Sequence, residues 1–198
     1  RQMCIRDRNY YSEIMKNDLT EGRMAFEKQL DIMCAGAFSV SNDSDLKWVY
    51  FLDGLKDGDN NIAALIRCND MLRQTFADSE HYQNYSVIMK NELIFRKSGM
   101  VVGDKFFYDN YCTYQNTDFE TWRKQSFESN TWQLFPLEEI DTGERTFQAM
   151  TFSYPVRNYI QQEPEANAVV QFLLSKENLE QMFGQLLSRQ GGILIYDA

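Results

Sequence analysis

The sequence has one histidine, His81, among its 198 residues. A zinc site built from several histidines is therefore excluded. A Ser-His-Asp triad or a Cys-His dyad would have to use His81, which sits in the polar run Ser79-Glu80-His81-Tyr82-Gln83 with no nucleophile motif nearby. It reads as a surface histidine. The four cysteines, Cys4, Cys34, Cys68 and Cys112, form no CxxC pair and no metal-ligand spacing. That excludes a zinc ribbon and a thioredoxin motif, and in a chain of this size they make no disulfide framework. Cys34 and Cys68 fall on the apolar faces of predicted helices, where a thiol acts as a small hydrophobe. Basic residues are also short: 20 Lys+Arg stand against 29 Asp+Glu, a net charge of −9. A phosphate backbone selects for basic faces, so this stretch is not expected to bind nucleic acid, nor to form a polybasic membrane-surface helix. No run approaches the roughly eighteen apolar residues that a membrane span needs. Glycine gives no phosphate loop, because Gly191-Gly192 precedes a predicted strand rather than a helix. The adjacent carboxylates Glu138, Glu139 and Asp141 read as exposed turn charge rather than as a glycosidase pair. With no catalytic constellation, the chain is not read as an enzyme, and no metal or cofactor is expected.

What is present is a folding composition. Hydrophobic residues make up 43 % and aromatics 14 %, too apolar for a disordered chain and enough to bury a core. Residues 1–8 fit no amphipathic pattern; Met3 to Arg8 resembles the translated end of a sequencing-library transposon and is set aside as a non-native scar. The other end stops inside Gly191-Gly192-Ile193-Leu194-Ile195-Tyr196-Asp197-Ala198, a glycine turn followed by an apolar strand. The expectation is a piece of a longer protein, with any flanking membrane helices outside it.

From Asn9 to about Val40 the apolar residues Leu19, Phe26, Leu30, Met33, Ala37 and Val40 step by three, four or seven, which predicts one long helix laid along a partner. Residues 41–45 end it. Leu46 to Leu55 and Ile62 to Phe76 predict two further helices, the second burying Ile62, Leu65, Ile66, Met71 and Leu72. Tyr85 to Met89 and Leu93 to Arg96 read as a hairpin, and Met100 to Val102 as a short extended piece. Asp104 to Tyr114 and Asp118 to Phe127 read as helices, the latter N-capped by Asp118. Trp132 opens a second strand group, with Asp141-Thr142-Gly143-Glu144 as a hairpin turn. Thr146 to Val156 is a long strand with Phe147, Ala149, Thr151 and Ser153 on one side and Met150, Phe152, Tyr154 and Val156 on the other. Pro155 in it suggests an edge or a bulge. Residues 157–165 are a polar loop, Ala168 to Leu174 an apolar strand, and Ser175 caps a final helix that leads to the last strand. The fold class is α+β: an antiparallel sheet with helices on one side.

This order of elements resembles a known family. A long N-terminal helix, the segment Phe119 to Trp122, the strand Trp132 to Leu137, Thr151-Phe152-Ser153-Tyr154-Pro155-Val156, Ala168 to Leu174, Glu177 to Leu187 and Gly191 to Asp197 together look like an extracellular double-Cache (PAS-like) sensor domain. The closest flavour is the sensor half of membrane-anchored AraC-type transcriptional regulators, with related modules on sensor histidine kinases. The resemblance implies a long stalk helix (residues 9–45) and a membrane-distal sensor module (46–198) cut at its end. It implies a location on the outer side of a bacterial plasma membrane, a small-molecule ligand, pairing of two copies through the long helix, and a cytoplasmic output.

A ligand pocket needs an apolar wall with a few aimed polar groups. Tyr108, Tyr111, Trp122, Trp132 and Tyr154 supply aromatic faces. Arg123 and Arg157 supply guanidinium groups that can clamp a carboxylate. Some double-Cache sensors hold an amino acid through an aromatic, an Arg-x-Trp-aromatic run, a later Tyr and then an Asp. Here Trp122-Arg123 stands in the other order, Tyr154 matches the later Tyr, and Leu173 or Leu174 occupies the place of the Asp. That argues against an amino acid and leaves a carboxylate, a sugar or a peptide. The rival reading is a secreted or surface-anchored solute-binding or scaffold protein that relays no signal.

Overall fold

The computed structural model describes residues 2–49, 58–76, 82, 84–157 and 166–183, with the backbone alone for residues 2–12, 48 and 58–61. The expectations for His81, the 158–165 loop and the final strand lie outside these residues. Six helices and seven strands are described: α1 (Gln2–Asn42), α2 (Ser44–Val49), α3 (Gly58–Thr75), β1 (Asn84–Met89), β2 (Leu93–Arg96), β3 (Gly99–Val102), α4 (Asp104–Tyr111), β4 (Thr113–Tyr114), α5 (Phe119–Glu128), β5 (Gln133–Asp141), β6 (Thr146–Val156), β7 (Ala168–Ser175) and α6 (Lys176–Phe183). Among the described residues no helix is long and apolar enough to cross a membrane.

Two compact units are present. The first is Arg1–Ile32 with Glu177–Ala198. Here α1 begins at Gln2, so residues 2–8, set aside from the sequence, continue the helix rather than precede it. Phe183 of α6 lies with its ring 6.3 Å from that of Phe26. Gly22 permits the approach, because a Cβ there would run into the Phe183 ring. Leu19, expected in the buried stripe, is exposed, and Gln29 is buried in its stead.

The second unit, Met33–Lys176, holds the sheet. All pairings are antiparallel, in the order β3-β2-β1-β7-β6-β5-β4. Helices lie against both faces, not one. On one face α4 and α5 bury Phe107, Tyr108, Trp122 and Phe127 against Ile88, Ile94, Ile140, Ala149, Val169 and Leu173. On the other, Phe76 at the end of α3 packs tilted against Tyr85 and edge-on against Phe172, with ring centroids 4.6 and 5.2 Å apart. The last turns of α1 reach the same ring: a Cβ on Gly36 would come within 2.9 Å of Phe76.

The strand ranges follow the alternation read from the sequence, and Asp118 caps α5 by accepting a hydrogen bond from Thr121 N–H at 2.8 Å. Two expectations are corrected, and of the edge or bulge that Pro155 suggests the structure has the edge. The helix from Asp104 stops at Tyr111, because Thr113 and Tyr114 pair with Asp141 and Ile140 as β4. In α3, which starts at Gly58, Ile62 and Ile66 are exposed, and the buried stripe is Leu65, Cys68 and Leu72. The bulge lies in β5 between Phe135 and Glu138, around Pro136. Pro155 pairs only with β7, since β5 ends at Gln133 opposite Ser153, and its missing N–H therefore breaks no ladder.

Burial also fixes an alkaline limit. Cys112 is 3 % exposed. Burial first, then the nearby Glu138 charge, pushes its thiol from 9.0 up to about 12, and burial holds the Tyr114 hydroxyl well above its ordinary 10.0. Both groups are favoured neutral in the fold, so their contribution is intact below about pH 9 and is lost as pH rises toward 12. The urea midpoint is expected to hold steady from about pH 7 to 8.5 and fall above about pH 9.5. A midpoint that stays level to about pH 11 would contradict this.

Candidate functional site

The face beneath α4 and α5 is not uniformly apolar. Register places Gln133, Ser153, Gln171, Ser86 and Arg96 side by side, one on each of five neighbouring strands, β5, β6, β7, β1 and β2. Ser153, Gln171 and Arg96 are buried. Buried polar groups need partners, and α5 and β4 supply some of them. Gln171 Nε2 donates to Ser126 Oγ at 2.9 Å, Ser126 donates to the Trp122 carbonyl at 2.7 Å, and Tyr114 bonds Thr151 Oγ1 at 2.9 Å. Trp122 Nε1 and Gln133 Oε1 are buried without a partner among the described residues. One is a donor and the other an acceptor, the kind of group that orients a small molecule.

The row ends at a cleft. Arg73 of α3, Asn84 of β1, Arg96 and Lys97 at the end of β2, and Thr142, Glu144, Arg145 and Phe147 around the β5–β6 turn enclose about 420 Å³. Arg96 is the buried member. Its guanidinium lies 3.8 Å from the Tyr111 ring centroid, a cation–π contact that fixes its plane. It donates to Ser98 Oγ, and its Nη2 stands 3.9 Å from Glu144 Oε1, beyond hydrogen-bond length.

The turn that carries Glu144 and Arg145 is rigid. Asp141 Oδ1 accepts from Gly143 N–H at 2.8 Å, and Thr142 donates both its N–H and its hydroxyl to the Arg145 carbonyl at 3.0 Å. Gly143 has φ +75°, and a Cβ there would strike the Asn110 carbonyl at the end of α4. Gly143→Ala is therefore expected to lose about 1–3 kcal/mol in urea unfolding. Asn tolerates positive φ but keeps the clash, so Gly143→Asn is expected to be no better. Full stability in that variant would show that the approach to Asn110 does not select the glycine.

The residues singled out from the sequence fall on both faces. Tyr108, Tyr111, Trp122 and Arg123 lie with α4 and α5. Tyr108 is buried, donates to the Thr117 carbonyl, and packs at 5.4 Å from Trp122. Tyr111 carries Arg96, and Arg123 donates to Asp104, tying α5 to α4. Arg157 donates to the Ser129 carbonyl at 3.0 Å and pins the end of α5. Trp132 and Tyr154 belong to the other side: Trp132 stacks on Phe152 at 5.6 Å, and Tyr154 follows the parity of Phe152. The cleft residues Arg73, Arg96, Lys97 and Arg145 were not singled out. The available signal was a guanidinium closing the apolar strand Leu93-Ile94-Phe95-Arg96, and a glutamine, Gln171, inside another.

No family model matches the chain, and no curated protein does. Solved structures do. The extracellular domain of a histidine kinase aligns over 89 % of this chain and 61 % of its own, at 10 % identity and TM-score 0.57. A domain of a sensory box/GGDEF family protein from Vibrio parahaemolyticus aligns over 89 % and 64 %, at 12 % identity and TM-score 0.57. The periplasmic sensory domain of a Campylobacter jejuni chemoreceptor aligns over 93 % and 65 %, at 11 % identity and TM-score 0.54. The chain shares the PAS/Cache-like fold of these domains. The chain spans about three fifths of the length of these neighbours. The fold thus agrees with the resemblance read from the order of elements. The neighbours named belong to a kinase, a GGDEF family protein and a chemoreceptor, and none of them singles out an AraC-type regulator.

Proposed function

We propose that this chain is the ligand-sensing part of a bacterial membrane signalling protein, placed outside the cytoplasm, which binds a small molecule and passes the event to an output domain along α1. The observation that carries the reading is the polar row across the sheet beneath α4 and α5, ending in a cleft. A core built only for stability has no use for Gln171, Ser153 and Arg96 in one row across the sheet, since apolar residues of similar size pack there at less desolvation cost. The extracellular and periplasmic neighbours support the location, and the small cavity supports a small molecule rather than a protein partner.

A thermal-shift screen of carboxylates, phosphates, sugars and amino acids tests it. A ligand at about 100 times its Kd adds about 2.7 kcal/mol, or roughly 5–10 °C in Tm for a chain of this size. No concentration-dependent rise with any compound would remove the small-molecule reading. Recovery of the complete reading frame tests the rest: it is expected to show a membrane helix upstream and an output domain. A cleaved leader and no output would replace the sensor with a binding protein that relays nothing.

A further inference from the structure

Resting on the sensing reading above, we infer that the cleft at the Arg96 end of the polar row binds a compact organic anion carrying two or more negative charges, and that Glu144 competes with that anion for Arg96. The lining holds four cationic side chains, Arg73, Arg96, Lys97 and Arg145, against one carboxylate, Glu144. That concentration of positive charge stands out on a chain whose net charge is −9. Among the described residues Arg73, Lys97 and Arg145 make no ion pair. Clustered like charges repel, and a bound anion removes the repulsion.

Arg96 is prepared for such a ligand. It is 7 % exposed, and stacking on Tyr111 sets the plane of its fork. Ser98 takes one donor, and Glu144 stands at 3.9 Å. A guanidinium has five N–H donors, so most of them are left for an acceptor in the cleft. Carboxylate and phosphate oxygens both match the fork in bidentate fashion. Asn84 adds a neutral amide. A cavity of about 420 Å³ lies in the lower part of the range for small-ligand sites, which favours a compact molecule. Glu144 is largely exposed on its turn and shares Arg96 with no better-placed carboxylate, so an arriving anion displaces a weak, long pair.

Calorimetric titration of the chain tests this with citrate, succinate, inorganic phosphate and glycerol phosphate as probes, at ionic strength matched with sodium chloride. Acetate, alanine and glucose serve as comparison compounds. At least one multivalent probe is expected to bind with a Kd of about 1 mM or tighter, and more weakly as salt rises. Response to the carboxylates alone or to the phosphates alone names the source, and either supports the inference. Arg145→Gln and Lys97→Gln, both at exposed positions, are expected to weaken binding by about tenfold each, and Glu144→Gln to strengthen it several-fold. Arg96→Lys keeps the charge, loses the fork, and is expected to weaken binding with little change in Tm. Lys105→Gln, outside the cleft, is expected to leave the affinity unchanged. Affinity that ignores Arg145→Gln and Lys97→Gln, or alanine binding as tightly as the best anion, overturns the inference. If no anion binds but the wider screen finds an uncharged ligand, the inference fails and the sensing reading stands. If no compound binds at all, both fail.

Discussion

Phe172→Ala is expected to lower the unfolding free energy by about 3–5 kcal/mol, the range for deleting a fully buried aromatic side chain. For a domain of this size that is a fall of roughly 8–15 °C in Tm. Phe172 sits in the central strand β7 with no exposed surface. Its ring lies 4.7 Å from Tyr82, 5.2 Å from Phe76 and 6.0 Å from Phe152. It therefore joins the end of α3, the segment entering β1 and the neighbouring strand β6. Truncation leaves a cavity that none of these rings can fill without moving off a strand or a helix end. Ile66→Ala supplies the comparison, since Ile66 is 55 % exposed and its loss is expected to stay within about 0.5 kcal/mol. Urea midpoints measured by circular dichroism decide the matter. Equal losses in the two variants would mean that the aromatic layer does not hold the sheet to its helices.

The second large effect is expected at the brace between α4 and α5. Asp104 opens α4 after Gly103, whose φ of +94° turns the chain out of β3. One carboxylate oxygen accepts the Lys105 N–H at 2.7 Å, and the other accepts from Arg123 Nε. The Asp104 side chain is 10 % exposed and that of Arg123 34 %. Removing one partner of a fully buried pair costs about 3–5 kcal/mol, because the other charge is left without compensation. Solvent at the arginine reduces this, so Arg123→Ala is expected to lose about 2–3 kcal/mol. Part of that is the lost contact with Phe127, which lies 5.3 Å from the guanidinium carbon. The double variant Asp104→Asn/Arg123→Gln is expected to lose less than the two single variants combined, since it buries no unpaired charge. Additive losses would show that the pair is solvated and that α5 is held by packing alone. The brace also explains why Arg123, a candidate clamp in the sequence, faces a carboxylate of this chain.

The elements were largely legible in the sequence because their signals are local. The alternation of Thr146 to Val156 assigns Thr151 and Ser153 to one face and Phe152 to the other without any knowledge of the neighbours. Asp118 announces α5 through the chemistry of a cap. The exceptions have physical reasons. Ile62 and Ile66 fit an apolar helical stripe but face solvent, because α3 buries the adjacent stripe containing the small Cys68. Tyr114 looks like the last turn of a helix but leaves it for β4, where its hydroxyl reaches Thr151. Pairing with β5, extended by the Gln115 N–H donated to the Glu139 carbonyl, outweighs a helical propensity that is weak in an aromatic-rich run.

The candidate site was less legible, because its residues are scattered. Arg73, Arg96 and Arg145 come from a helix end, a strand end and a turn, and no spacing links them. Trp132 and Tyr154 looked like partners of Trp122, yet strand parity puts them across the sheet from it. The sequence by itself determined the inventory: too few histidines for a triad or a histidine-rich metal site, an acidic surface, a long helix, and strands with a fixed inside and outside. Only the tertiary structure decided which polar side chains stand next to one another, because register between strands distant in the chain is set by pairing, not by local preference. That pairing turned five separate residues into the row that runs from Gln133 to Arg96.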